Sequence, residues 1–317
     1  DLAAVGHRRG GRQDGELAVL FRGQHHAVGH EATDLARGQV EHGDDLLAHQ
    51  FLGFVVVGQA GQDLAACEPI LNRTKVVSEV AVVLDYNSLW ANRIKPIHKE
   101  FTYEGYAQQL VGQLAALGGN VDLIGADHPL DGYRLVLVPF APILPEDFRR
   151  KCRDYAEKGG HLLTMTMAFS RDEWGSGIFE KSPVGMTDFF GMHVVEMEPV
   201  FDGQTDAPVR IGELTTRSYF WQETLESEGA EVLGVFRGTY RDGWPVLTEH
   251  PYGKGSALYL GTAPAPEDAP ALLRWLLERC GVSLPPVEMV YGLSVVTRFS
   301  ETERYIFVFN SLPREQV

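Results

Sequence analysis

The chain has 317 residues, of which 44% are hydrophobic, and 28 Lys and Arg stand against 43 Asp and Glu for a net charge of −15. That acidic balance excludes nucleic acid as an expected partner, since such affinity comes largely from Lys and Arg neutralising phosphates, and it works equally against an anionic membrane surface. No apolar run approaches the roughly 18 residues of a membrane helix. No signal-peptide pattern opens the chain. Three cysteines (Cys67, Cys152, Cys280) are too few for a disulfide framework and point to a reducing, cytoplasmic location. The length suggests two domains.

Residues 1–67 differ in kind from the rest. They contain no Ile, Lys, Met, Asn, Pro, Ser, Trp or Tyr, yet hold eleven of the 34 glycines and six of the 11 histidines. Such a composition lies outside ordinary globular usage. A GC-rich gene read in a wrong frame or strand would deplete these residue types in this way, so the segment is expected to be disordered or mistranslated. His25, His26 and His30 are the alternative, as metal ligands, because His26 and His30 share a helical i, i+4 spacing; no zincin pattern follows, the next residue being Ala27.

From Glu79 short apolar runs alternate with amphipathic stretches, the pattern of a parallel sheet covered by helices. Glu79–Asp85 reads as a buried strand ending in a carboxylate. Tyr103, Tyr106, Leu110, Leu114 and Leu117 form a helical stripe closed by Gly118 and Gly119. Val121–Ile124 and Arg134–Pro139 read as strands. Pro145 opens a helix whose inner face is Phe148, Cys152 and Tyr155, ended by Gly159 and Gly160, and His161–Thr166 follows as a strand. The middle is less regular: Phe189–Glu198 and Ala230–Phe236 read as strands, and Pro245–Glu249 is expected to pair with Gly255–Gly261 across the Pro251–Lys254 turn. Asp268 to Pro270 opens a last helix with Leu272, Leu273, Trp275, Leu276 and Leu277. Pro285 and Pro286 mark a linker, and Glu288–Val296 and Arg304–Asn310 are β-rich. The expected domains are therefore 1–67, an α/β unit over 68–285, and the start of a β domain over 286–317. Because the chain begins at Asp1 and stops soon after these strands, a fragment is expected.

In an open parallel sheet, ligands bind beyond the carboxyl ends of the strands. Asp85, Tyr86 and the residues after Thr166 occupy that edge. An amidotransferase-like cysteine enzyme would need a thiolate on the turn after a strand with a His partner, but Met165–Ser170 has no cysteine; Cys152 and Cys280 read as core thiols. Gly253-Lys-Gly255 matches neither dinucleotide fingerprint nor P-loop and reads as a turn before a strand. Asp202–Asp206 lacks the spacing of a calcium loop, and Asn72-Arg-Thr74 fits a glycosylation acceptor only in pattern. Glycoside hydrolysis needs a carboxylate pair; Glu173 beside Trp174 looks sugar-facing, although a buried Trp next to a solvated Glu is the expected arrangement.

At Val80-Ala-Val-Val-Leu-Asp-Tyr-Asn-Ser-Leu-Trp-Ala91 the sequence resembles the opening of the trimerisation domain of glycoside hydrolase family 42 β-galactosidases. The resemblance runs on through Asp131–Pro139, Glu157–Leu163, Ser170-Arg-Asp172, Glu228–Leu233 and Tyr252–Thr262, in order, over residues 70 to 285. It implies a flavodoxin-like or class I glutamine amidotransferase-like three-layer sandwich with a mostly parallel sheet, followed by a truncated β domain. It further implies a homotrimeric parent enzyme that hydrolyses terminal β-D-galactosides with retention. The family's catalytic glutamates lie on a (β/α)8 barrel, the acid following an Asn. No Asn-Glu pair occurs here, so no catalytic residue is carried over and this chain alone is expected to be inactive, its galactoside substrate met only through the absent barrel. By the same resemblance Asp85, Tyr86, Trp90, Arg171 and Asp172 are interface or barrel-mouth candidates, with local packing the alternative for Trp90 and a solvated turn for Arg171 and Asp172. No cofactor or metal is implied. The second reading is a stand-alone flavodoxin-like module that binds a small molecule.

Overall fold

The computed structural model describes residues 3–6, 15–21, 58, 61–200 and 208–310. The chain divides into two compact units, Ser78–Leu284 and Asp1–Val77 with Pro285–Val317. The expectations for His25, His26, His30 and Asp202–Asp206 fall outside the described residues, as does most of residues 1–67.

The larger unit is built on one mixed sheet. Its parallel part is β5 (Val121–Ile124), β4 (Val80–Val83), β6 (Leu135–Val138), β7 (His161–Met165) and β13 (Gly255–Leu260), side by side in that order. Every residue of β4 and β6 is buried, and their runs of Val and Leu are what a strand covered on both faces requires. Helices α2 (Tyr86–Ile94) and α3 (Tyr103–Ala116) follow β4, and α4 (Glu146–Lys158) follows β6. Thr102 caps α3, its hydroxyl accepting from Gly105 N–H at 3.2 Å. The α4 helix starts after Pro145, carries Glu146 and Asp147 in its first turn, where the helix dipole favours negative charge, and ends at Gly159 in the left-handed region, φ +116°. Its buried face is Phe148, Cys152, Tyr155 and Ala156, as the sequence spacing predicts.

Beyond β13 the sheet becomes antiparallel: β12 (Pro245–Tyr252), β11 (Glu231–Phe236), β9 (Pro208–Ile211), β10 (Leu214–Ser227) and β14 (Thr262–Pro264), with β8 (Met192–Pro199) also on β10. Among the described residues four pairings of this sheet are parallel and six antiparallel, so the expected mostly parallel sheet is corrected to a mixed one. The reason lies in the connections. Gly253 and Lys254 alone join β12 to β13, and Gly212 and Glu213 join β9 to β10; two-residue links allow only antiparallel neighbours. Gly253 has φ +60°, and a Cβ there would stand 2.4 Å from Glu157 Cα, so hairpin and helix end can approach only with glycine.

Phe189 and Phe190 belong to a helical turn, α5 (Thr187–Phe190), and the strand expected from Phe189 starts instead at Met192, after Gly191 turns the chain at φ +58°. Helix α6 (Ala269–Arg279) packs on α3 and buries Leu272, Leu273, Leu276 and Leu277.

The smaller unit has a five-stranded sheet ordered β1 (Ala3–Gly6), β2 (Gly15–Phe21), β16 (Glu303–Asn310), β15 (Leu293–Phe299), β3 (Lys75–Val76), and a helix α1 over 61–71. Tyr305 and Phe307 pack with Ile70 and Leu71, while Ile306 and Val308 on the opposite face meet Val287 and Met289. This is the period-two alternation of a strand covered on both sides.

Candidate functional site

The carboxyl ends of β4, β6 and β7 gather three connections of the larger unit. After β4, Asp85 is the N-cap of α2: its carboxylate accepts from Ser88 N–H at 2.8 Å, and its own N–H donates to Tyr103 Oη at 3.2 Å. It is only 7% exposed, and this burial pushes its carboxyl above the usual range against the opposing pull of the cap bond. Tyr86 and Trp90, one and five residues on, are 70% and 55% exposed. Arg93 holds its guanidinium 5.4 Å from the centre of the Trp90 ring, a cation–π contact.

The connection after β7 is strained. Met167 has φ +67° and Phe169 φ +55°, and Phe140, just after β6, has φ +43°. Non-glycine residues occupy this region at a cost of about 1–3 kcal/mol each, and such outliers gather at functional sites. From this turn leads the segment with Arg171 and Asp172. The Asp172 carboxylate accepts from the N–H groups of Trp174 (3.0 Å) and Ser176 (2.8 Å), an Asx-type turn, and Arg171 forms an isolated bridge with Gly177. The turn presents Trp174, 84% exposed, and Phe179, fully exposed. The buried Trp expected beside Glu173 is therefore corrected: the side chain of Asp172 closes the turn, and the indole is carried outward.

The two groups of candidates are fastened to one stretch of backbone. Ser88 of α2 bonds to Ile143, Arg171 N–H donates to Pro142 O at 3.1 Å, and Phe169 N–H to Ala141 O at 3.0 Å. Residues 141–143 thus carry both α2 and the 167–177 segment. Of the five candidates, Tyr86 and Trp90 offer exposed aromatic surface, Arg171 and Asp172 are half-buried, and Asp85 acts on the helix itself. Sequence reasoning missed Phe179 and the strained turn, whose left-handed residues are a methionine and a phenylalanine and so carry no glycine signal.

A cleft of about 780 Å³ opens beside this edge, between Asp85 and Tyr86, Gly125 to Asp127 after β5, and Asp147, Lys151 and Asp154 of α4. No helix follows β5 before β6, and that missing crossover leaves the space. Lys151 Nζ is engaged by the carbonyls of Ala126 (2.8 Å) and His128 (3.0 Å), so it holds the loop. Among the described residues no group of three or more His, Cys, Asp or Glu is arranged to hold a metal ion, and no helix is long and apolar enough to cross a membrane. Cys152 and Cys280 are buried free thiols, the second pushed up by burial to about 12.

Residues 78–283 match the family model of the β-galactosidase trimerisation domain. The chain belongs to that family. A β-galactosidase of Heyndrickxia coagulans is 28% identical to this trimerisation-domain chain over 282 residues, 88% of the chain and 41% of the relative. Among solved structures, a β-galactosidase from Rahnella sp. R3 superposes with a TM-score of 0.73 at 22% identity, over 82% of this chain and 39% of that one. One from the haloarchaeon Halorubrum lacusprofundi gives 0.65 at 28% identity, over 71% and 34%. This trimerisation-domain chain therefore spans between a third and about two fifths of the length of these three relatives.

Proposed function

We propose that this chain is the assembly portion of a homotrimeric, retaining β-galactosidase found in the cytoplasm, and that it makes no contribution to bond cleavage by itself. In this reading the parallel strands, ordered 2-1-3-4-5 along the chain, are a flavodoxin-like or amidotransferase-like core with helices on both faces. Tyr86, Trp90, Arg171 and Asp172 touch neighbouring subunits, with Asp85 presenting the first two, and the same patches frame the galactoside-binding barrel mouth of the parent enzyme. The observation that carries the reading is the exposure of Tyr86, Trp90, Trp174 and Phe179 on segments fastened to residues 141–143. Aromatic side chains held this far out by a fixed backbone are characteristic of protein interfaces.

Sedimentation equilibrium over a range of concentrations tests it. The expected result is self-association towards three times 35.1 kDa, with no turnover of a nitrophenyl galactoside. A strict monomer overturns the assembly role, and hydrolysis overturns the placement of the chemistry elsewhere.

The cleft beside Asp85 supports the second reading, a stand-alone module that binds a small molecule, because its volume is in the range of ligand pockets. Saturable binding by a monomer would favour that reading over the first.

A further inference from the structure

Glu223 lies in the interior of β10 and is 1% exposed. Its carboxylate accepts from Met167 N–H at 2.9 Å and Tyr259 Oη–H at 2.7 Å, with the Thr166 and Trp221 side chains also directed at it, all of them neutral donors. An acid buried without a cation is costly, so its place in a strand interior asks what it holds. One partner is the tyrosine of β13. Another is the backbone of Met167, the first of the two left-handed residues after β7. Conformations of that kind persist only where surrounding structure over-determines them. Here the carboxylate grips the turn from within the sheet, while Phe169 N–H to Ala141 O and Val184 N–H to Phe169 O (2.8 Å) grip it from the other side.

We propose that Glu223 is a positioning residue for subunit assembly: its carboxyl group fixes the Met167 turn and thereby sets where Arg171, Asp172 and Trp174 stand. This rests on the assembly reading above. It assigns to a residue buried in β10 the task of holding the loop of Trp174 in register. Either oxygen-bearing side chain of the right length can perform it, because the Met167 N–H needs an acceptor and not a charge.

The test uses the full chain in four forms besides the wild type: E223L, E223D, E223Q and Y259F. Each is followed by sedimentation equilibrium and by hydrogen exchange at the Phe169 and Arg171 amides, with circular dichroism to establish that it is folded. E223L removes the acceptor, and is expected to weaken self-association about tenfold or more and to speed exchange at both amides. E223D, one methylene shorter, does the same and carries the test if E223L does not fold. E223Q keeps an acceptor and restores both readouts. Y259F removes the tyrosine donor while leaving the acceptor for Met167 N–H in place, and keeps both readouts at wild-type values. Wild-type behaviour of E223L or E223D overturns the proposal, as does Y259F matching E223L, which would mark a general core defect, or a failure of E223Q to restore. A wild-type chain that stays monomeric overturns the assembly reading and the proposal with it. That outcome is recognisable because it appears before any substitution is made.

Discussion

Ser88 and Ile143 exchange two hydrogen bonds, the Ser88 hydroxyl donating to the Ile143 carbonyl at 2.7 Å and accepting from the Ile143 N–H at 3.1 Å. One side chain thus satisfies both backbone groups of a buried loop residue and ties the first turn of α2 to the connection after β6. S88A leaves that pair without partners, at about 1–3 kcal/mol for a buried group left unsatisfied. Urea denaturation of S88A should show a lower midpoint with an unchanged slope; an unaltered midpoint would mean that water replaces the hydroxyl.

Gly253 and Gly132 separate two effects that usually arrive together. Both have positive φ, +60° and +99°, but an added Cβ meets nothing within 4 Å at Gly132 and stands 2.4 Å from Glu157 Cα at Gly253. G132A should cost only the dihedral strain, about 1–2 kcal/mol. G253A adds a backbone clash between hairpin and helix, and should lower stability clearly more. Equal losses by thermal or urea unfolding would show that the hairpin shifts to accommodate the methyl group.

Two acids should answer pH in opposite directions. Burial holds the Glu223 carboxyl above its ordinary range. A folded value above the unfolded one means that its contribution is full below about pH 4, the unfolded range, and is lost as pH rises through the raised folded value. E223Q, which does not titrate, should therefore gain on the wild type as pH rises from about 4. Asp188 is the reverse: two hydrogen bonds from Arg153, at 2.8 and 2.9 Å, hold its carboxyl below the usual range. Its contribution is present above about pH 4 and disappears as pH falls through the lowered value. D188N should be flatter than the wild type on the acid side. Unfolding free energies measured from pH 3 to 8 check both, and parallel profiles would refute the assignments.

The exposed aromatics predict a split between association and stability. W90A and Y86A remove surface that is already in water in the single chain, so melting temperatures at low concentration should hardly move. Each should weaken self-association about tenfold if it sits at the centre of an interface. Loss of melting temperature without loss of association would return Trp90 to local packing.

Cys152 and Cys280 are buried and held protonated well above neutrality. Because the thiolate is the reactive form, neither should react with a thiol reagent on the native chain, and both should react at once in denaturant. Rapid native labelling at either position would show that the α4 or α6 face opens.

The parallel half was readable from the sequence because its strands are short, continuous apolar runs: β4, β5, β6 and β7 lie within the expected limits, and the helices opened at Pro145 and Asp268 start there. The resemblance to the trimerisation domain was equally readable from its ordered motifs. What escaped was decided by polar residues in buried places. The long strand β10 buries Ser218, Gln222, Glu223 and Thr224, so its short aromatic run, Tyr219 to Trp221, is flanked by buried polar residues and does not reveal a strand of 14 residues. Helix α2 buries Ser88, Leu89 and Asn92, a face too polar to register, and Asp85 was read as the end of a strand when it is also the start of a helix. Trp174 was expected inside because indole is apolar, yet the two amides held by Asp172 fix its direction. Such outcomes depend on tertiary partners that no local pattern names.

The place of β13 has a consequence for the synthesis of this chain. It pairs with β7 on one side and β12 on the other, yet in sequence it stands far beyond β7, with residues 166–254 between them. A polypeptide halted anywhere in that interval would leave β7 as a bare rim of apolar residues with unanswered amides, the kind of template on which chains stick to one another. A chain cut short before Gly255 should therefore clump more readily than one that carries Gly255–Leu260.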